Sequence, residues 1–588
     1  MKIKNRNRGV LSRLIAVAAI ALCCVMALPA VAHAEDVPEG QKFHIKSAAE
    51  FLTCVALSRE RDTSNWEVYL DNDIELDGED MKTIVSNTVK HLSFGNKEHP
   101  FKGVFDGQNH TVKGLDYANN MLDPERDTGF FAETDGATIK NFLVKDANIW
   151  ADFRGGIIVG KAVNTSFENV MVMESTLHVT CANNMLNVIT NAGFEGGLIA
   201  GELDGCKLYN CEVRGGRAVN NTTSGVQAIG GEGLYMAAFA GYVKNSTIEY
   251  CRVTPTRKED GSIADKGMTD VTNKYDVAIG ALGGNNVYAS GFVGCMAGGA
   301  KIIDCFSTAQ CYSYAASYVG VVSVTRAWTG GLAGRILTEE GNELVRSHFA
   351  GDLSSRQYNP IAVIPIIQND VNLGGIAARA NKDDATVTEC YFKPSVSLKG
   401  NSQGTAAKKK IYALAGDGTV SGAGFGPWDD ERYVTRELWE QHDYDFCAGT
   451  MRSTANGDGH ANEWAMDYRL EIPVHGQSVK ATIDFPDAGT ATIEATKLGN
   501  DQSTSDPYTF AVSAVLAGTA QGLAQGDTSV TFKQETSAKP KGLTNENGGY
   551  RFMGWFRESN VHVNRIGQDN SWFDGKSDDA AVKAGKRV

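Results

Sequence analysis

Residues 196–213 read GGLIAGELDGCKLYNCEV: a glycine pair, an apolar triplet, a short polar interruption, then an alternating run with a cysteine inside it. The phrase returns along the chain. It recurs as TGFFAETDGATIKNFLV (128–144), RGGIIVGKAVNTSFENVMV (154–172), MAAFAGYVKNSTIEYCRV (236–253), SGFVGCMAGGAKIIDCFS (290–307), TGGLAGRILTEEGNELVRSHF (329–349) and LGGIAARANKDDATVTECYF (373–392). Each unit has small residues, a hydrophobic triplet, a polar loop of five to nine residues and a second alternating stretch. FKGVFDGQNHTVKGL (101–115) opens the series with the same strand–turn–strand rhythm.

One such unit has strands too short to bury its apolar positions alone. Copies stacked at the interstrand spacing of about 4.8 Å bury them continuously, and equivalent positions then form ladders. The column through Cys211 reads Phe142, Val170, Cys211, Cys251, Cys305, Ser347 and Cys390, all apolar or small, so it faces inward. The column before it reads Asn141, Asn169, Asn210, Tyr250, Asp304, Arg346 and Glu389. Its first three members predict an asparagine stack at a bend, since Asn tolerates the left-handed conformation and its amide can pair with the next coil. The later members depart from that pattern.

Basic residues without an acid open the chain (Lys2, Lys4, Arg6, Arg8, Arg13), followed by an apolar stretch to about Ala30 and the small-x-small exit Ala32-His33-Ala34. These are the parts of a secretory signal, expected over 1–34. Removing its five cations moves the formal net charge from -14 to -19. So acidic a surface repels phosphate backbones and argues against a nucleic-acid partner. No later apolar run is long enough to span a bilayer. The rest exceeds one compact core, and 64 glycines against 13 prolines fit many repeated tight turns.

Export frames the cysteines. Ten lie beyond the leader: Cys54, Cys181, Cys206, Cys211, Cys251, Cys295, Cys305, Cys311, Cys390 and Cys447. Their spacing follows the repeat, so they read as small buried hydrophobes. A bridge between adjacent coils, such as Cys211 with Cys251, is the alternative, because stacked strands lie near the required Cα separation. There is no CxxC, and the single CxxxxC (Cys206, Cys211) has no partner pair, so no zinc site is expected.

Successive members of the Cys211 column stand 28, 41, 40, 54, 42 and 43 residues apart. A bare coil needs only some twenty residues, so inserts are expected at 217–233, 255–276 and 354–370. The last carries Ile361, Val363, Ile364, Ile366 and Ile367, fit to add a strand or form a contact patch.

Open stack ends aggregate unless covered. SAAEFLTCVALSRE has a capping-box spacing from Ser47 to Glu50 and an apolar side of Phe51, Leu52, Val55 and Leu57, which predicts a capping helix. WEVYLDNDIEL (66–76) reads as the first strand. Aromatics in VTRELWEQHDYDF (434–446) and EWAMDYRLEIPVHG (463–476) suggest the closing cap. From Ser478, VKATIDF, TATIEAT, YTFAVSAVL and SVTFKQ alternate as strands of a small β module ending in GYRFMGWFRES (549–559).

The recurring GGLxxG phrase followed by an IxxC-type strand resembles the GLUG-motif β-helix repeats of bacterial surface proteins, over roughly 100–395. GYRFMGWFRES resembles the extracellular repeats of the Listeria–Bacteroides or internalin B type. Two copies depart: Ala237-Ala238 replace the glycine pair and Ser347 replaces the cysteine. The resemblance implies an adhesin-like protein with no fixed ligand.

The expected architecture is therefore all-β: a right-handed parallel β-helix with an N-terminal capping helix, followed by a small β-sandwich-like or β-grasp-like module. Its divisions are 1–34 signal peptide, 35–100 cap and first strands, 101–400 β-helix, 401–477 closing cap and 478–588 β module. The expected function is non-catalytic binding of a host or matrix glycan or protein, by a secreted or surface-associated chain.

The rival is a polysaccharide lyase or hydrolase, since the fold also hosts such enzymes. It needs paired carboxylates facing one substrate. Asp71, Asp73, Asp106, Asp135 and Asp204 sit at turns or strand ends, and no two share a column in neighbouring repeats with a basic partner. HExxH is absent. GNSQG (400–404) satisfies GxSxG at Ser402, yet a polar loop leads into TAAKKK where a packed helix is required. The 11 histidines are scattered, with His348 read as a surface position. No catalytic, cofactor-binding or metal-ligating residue is assigned, and no cofactor is expected.

Overall fold

A computed structural model of the chain describes residues 41–76, 92–118, 127–179, 194–220, 233–256, 277–283, 286–316, 326–337, 341–359, 369–380, 385–388, 390–392, 398–404, 407–412, 464–467, 472–485, 489–498 and 512–515. The leader, the aromatics of 434–446, SVTFKQ and GYRFMGWFRES lie outside these residues.

Strands dominate, and most belong to three parallel sheets of 22, eight and seven strands, here sheets 1, 2 and 3. The chain visits them in rotation. In the unit quoted above, Phe194–Gly197 lies in sheet 2, Ala200–Asp204 in sheet 3, and Lys207–Tyr209 with Glu212–Asn220 in sheet 1. Each strand pairs with its equivalents in the units before and after: Gly196 with Gly155 and Met236, Leu203 with Ala162 and Val243, Val213 with Val172 and Val253. The fold is all-β with stacked parallel sheets, consistent with the expected parallel β-helix.

The Cys211 column stacks as expected. Val170 is the partner of Phe142, and the pairings Glu212–Arg252, Arg252–Phe306, Phe306–His348 and His348–Tyr391 carry the same register onward. All seven members are buried. The cysteines in it are free thiols, so the bridged alternative is not realised.

What reads as a polar loop begins as a sheet 3 strand, and a turn with a left-handed residue follows it. Gly136, Asn164, Gly205, Asn245, Gly298 and Gly341 occupy that turn in successive coils, all at positive φ. A second left-handed column reaches further than the asparagines: Asn141, Asn169, Asn210, Tyr250, Asp304 and Arg346 all lie between φ 44° and 56°. Backbone geometry therefore outlasts the amide ladder, in which Asn169 donates to Asn141 at 3.0 Å and Asn210 to Asn169 at 2.9 Å. Tyr250 and Arg346 hold the conformation at a cost of about 1–2 kcal/mol each.

The residue after each turn shows what the cysteines do. At six of these turns its amide is taken by a side-chain atom of the equivalent residue in the next coil. Cys211 N donates to Cys251 Sγ at 3.3 Å, Cys251 N to Cys305 Sγ at 3.4 Å and Cys305 N to Ser347 Oγ at 3.0 Å. At the other turns Cys206 N donates to Ser246 Oγ (2.9 Å), Ala300 N to Asn342 Oδ1 (3.0 Å) and Ala147 N to Ser175 Oγ (3.0 Å). These positions need a side chain small enough for the core and able to accept, which Cys, Ser and Asn share.

Helix α1 (Ala48–Ser58) begins as its capping box predicts: Ser47 Oγ accepts from Glu50 N at 3.3 Å, while Glu50 reaches back to Lys46 N at 2.7 Å. Phe51, Leu52 and Val55 are buried and Leu57 packs partly buried at the edge. Phe51 sits 5.4 Å from both Phe94 and Phe130, in an aromatic cluster at the start of the stack. Trp66–Leu70 is not the first strand; Gln41–Ile45 precedes it and pairs with it in parallel.

Two expected inserts are strand at their base. Residues 217–220 extend Glu212–Asn220 and 354–359 extend Leu353–Asn359, because their alternation continues sheet 1. Ile361 to Ile367 and residues 257–276 lie outside the described residues. Leu398–Gly404 and Ala407–Tyr412 carry sheets 1 and 2 past residue 400. The expected boundary at 477/478 falls inside Ile472–Phe485, which joins Trp464–Asp467, Gly489–Leu498 and Val512–Val515 in an antiparallel four-stranded sheet. Among the described residues no helix is long and apolar enough to cross a membrane.

Candidate functional site

Sheets 2 and 3 meet at the glycine phrase, and they meet closely. A Cβ on Gly201 would stand 2.5 Å from Gly160 O and 2.9 Å from Gly155 N; on Gly241, 2.5 Å from Gly196 N and 2.8 Å from Gly201 O. Only a residue without a side chain lets the two backbones approach so far. The side chains flanking the phrase then converge over this glycine column. Ahead of it stand Asp127, Arg154, Glu195, Tyr235, Tyr288 and Trp328 in register; behind it, Glu133, Lys161, Glu202, Tyr242, Cys295 and Arg335.

The first three coils make this corner ionic. Arg154 Nε lies 2.8 Å from Asp127 Oδ1 and 3.9 Å from Glu195 Oε2, and its Nη1 donates to Glu202 Oε2. Lys161 approaches Glu202 at 3.8 Å. Four carboxyls thus face two cations. Burial pushes the Asp127 carboxyl up to about 8 against the pull of Arg154, with Glu133 adding to the rise. Burial, then the neighbouring Glu202, takes Glu195 to about 8 as well. Carboxyls so placed keep their protons near neutral pH and can donate hydrogen bonds or protons.

The next coils make it aromatic. Tyr235, Tyr288, Cys295, Trp328 and Ala378 form a buried cluster apart from the main core. Tyr288 stacks on Trp328 at 5.7 Å. Arginines two coils onward reach back: Arg335 donates to Tyr235 Oη at 2.9 Å, and Arg379 donates to Tyr288 Oη at 3.0 Å while lying over the Trp328 ring at 5.3 Å. Burial raises the Tyr235 phenol, so it stays protonated.

None of the aspartates weighed in the sequence enters this corner. Asp71 binds His44 (2.9 Å) and Gln108 (3.2 Å), and Asp73 binds His110 (3.1 Å) and the Thr111 amide (2.8 Å). Asp106 and Asp204 each meet a lysine of the next coil, Lys140 at 3.4 Å and Lys244 at 3.6 Å. Each also accepts a turn amide from Asn141 or Asn245. Asp135 ends the strand Phe131–Asp135, half-buried. Ser402 lies within Leu398–Gly404, paired with Leu353–Asn359, so GNSQG is a strand and not a nucleophile elbow. His348 is fully buried, not on the surface; its ring stacks on Phe306 at 5.1 Å.

The glycine phrase itself carries no mark of this corner. The signal sits immediately before and after it: D–E, R–K and E–E in the first three units, then Y–Y, Y–C and W–R.

No family model matches the sequence, and no curated protein matches it. Among solved structures, one described as IgA1 protease is 14% identical, with a TM-score of 0.35, over 61% of this chain and 22% of that one. One described as L. reuteri 53608 SRRP is 11% identical, with a TM-score of 0.18, over 65% of this chain and 100% of that one. The chain thus spans about a fifth of the length of the first. Scores at this level carry no argument about function.

Proposed function

We propose that the chain is an exported, GLUG-like right-handed parallel β-helix with α1 as its N-terminal cap, and that it works by binding a glycan or protein of a host or matrix. Right-handedness follows from the strong preference of parallel crossovers for that hand. The reading is carried by one observation. Connections from sheet 1 to sheet 2 differ greatly in length, yet coils return to register and the connections attach along one edge: after Ala118, Val179, Asn220, Gly283, Ala316 and Asn359. A regular scaffold with variable connections on one edge is how binding surfaces are commonly built. A glycan and protein array tests it. Saturable binding lost on deletion of 221–232 supports the reading; binding unchanged by that deletion overturns the loop assignment.

The ionic corner favours a second reading, polysaccharide cleavage. A carboxyl that keeps its proton near neutral pH is the general acid that glycosidic cleavage needs. Turnover on a polysaccharide panel, abolished in Glu195→Gln, would move the function there.

A further inference from the structure

The outer face of sheet 1 carries a feature that neither reading uses. His475, in the strand Ile472–Phe485, is buried there. Its ring stacks on Tyr250 at 3.8 Å, meets Phe306 edge-on at 5.0 Å, and its Nε2 donates to Asp304 O at 2.7 Å. Two of these partners belong to the left-handed turn column, which turns a carbonyl and an aromatic ring outward. A residue far along the chain is thus seated on two successive coils.

The surroundings disfavour a charged imidazole. Arg252 and His348 face the ring, and both are buried. Arg252 binds Glu212 at 2.6 Å, but Arg214 binds the same carboxylate at 2.8 Å, so that trio is net positive. The carboxylate of Asp304 is held by Arg346 at 2.7 and 3.0 Å. Tyr250 contributes a neutral ring.

We propose that His475 is a proton-operated latch: while neutral it holds the C-terminal antiparallel sheet on the outer face of sheet 1, and mild acidification releases it. Burial, reinforced by Arg252, holds the docked imidazole well below its usual range, whereas a released one titrates near 6.5. The sign follows. Docking is at full strength above about pH 6.5 and weakens up to tenfold per pH unit as pH falls below it, because only the released form takes the proton.

Förster transfer on the full chain tests this, with dyes on Lys301→Cys and Thr490→Cys and with Cys23, Cys24, Cys181 and Cys447 changed to serine. The docked-to-released ratio should fall by up to about tenfold between pH 7.5 and 5.5. His475→Phe keeps a stacking ring without the proton and should give one ratio at both pH values. His475→Ala should be released at both. A wild-type ratio that does not change overturns the proposal. So does a His475→Phe protein that still responds to acid, which would place the titrating group elsewhere, or a docked His475→Ala protein. The melting of the stacked coils, followed in parallel, should be unchanged in both variants.

Discussion

The backbone amide of Cys211 donates to the sulfur of Cys251 one coil further on, at 3.3 Å, and Cys251 hands the same bond on to Cys305 at 3.4 Å. The cysteines are therefore core hydrophobes that also satisfy an amide left over at the turn. Ser347 continues the line with a hydroxyl. Replacing Cys251 by Ser should leave stability within about 1 kcal/mol, whereas Val, of similar bulk but with no acceptor, should cost about 1–3 kcal/mol through the stranded Cys211 amide. Denaturant midpoints compare them; a Val variant as stable as the Ser variant would remove the sulfur from the account.

Burial should also silence these thiols. It pushes Cys54 and Cys206 up to about 12 and raises Cys211 and Cys251 well above the usual thiol range, so thiolate is scarce at any ordinary pH. Iodoacetamide at pH 8, read by peptide mass spectrometry, should label the eight described cysteines only after unfolding. Native labelling of Cys211 or Cys251 would contradict their placement.

Close approach at the corner makes the glycine column intolerant. Gly241→Ala places a methyl against backbone of both sheets, Gly196 N and Gly201 O, neither of which can swing aside. The expected loss is about 2–3 kcal/mol. Gly136→Ala is the comparison: its Cβ meets nothing within 4 Å, and the cost there comes only from φ of 73° and should be about 1 kcal/mol. Equal losses would count against the packed corner.

The ionic corner sets a pH dependence of defined sign. Asp127 and Glu195 are raised to about 8 when folded, from about 4 when unfolded. Their stabilising contribution is complete below about pH 4 and is lost as pH rises towards 8, at up to about 1.4 kcal/mol per unit for each group. Glu212 runs the other way. Burial alone would raise it, but Arg214 and Arg252 hold it at about 2, so its contribution is present above about pH 4 and lost only in stronger acid. Urea midpoints should therefore fall between pH 5 and 8, and the Asp127→Asn, Glu195→Gln double variant should flatten the slope. A midpoint rising over that interval in wild type and unchanged by the variant would refute the assignment.

Much of this was readable in residues 196–213. The alternation around Leu208 and Val213 announced strands, the recurrence announced stacking, and Cys211 announced its inward column. Asn141, Asn169 and Asn210 marked a left-handed turn because Asn is at home there. Tyr250, Asp304 and Arg346 adopt the same turn without the chemical mark, since the coils on either side impose it; local propensity cannot reveal that. Ala200–Asp204 reads as loop because Glu202 and Asp204 point away from the core and leave few apolar positions to count. The corner stayed hidden for a related reason: Asp127, Arg154 and Glu195 stand 27 and 41 residues apart, and only the register of sheet 2 makes them neighbours. His475 was invisible because its partners, Tyr250 and Asp304, lie in other coils far along the chain.

Stacking in register underlies all of these statements, and sulfur itself can report it. In a crystal of the chain, long-wavelength anomalous scattering should place the Cys211, Cys251 and Cys305 sulfurs in one row, stepped by about 4.8 Å along the axis of the stack. Sulfur positions scattered through separate bodies, or separated by much more than one strand spacing, would contradict the account.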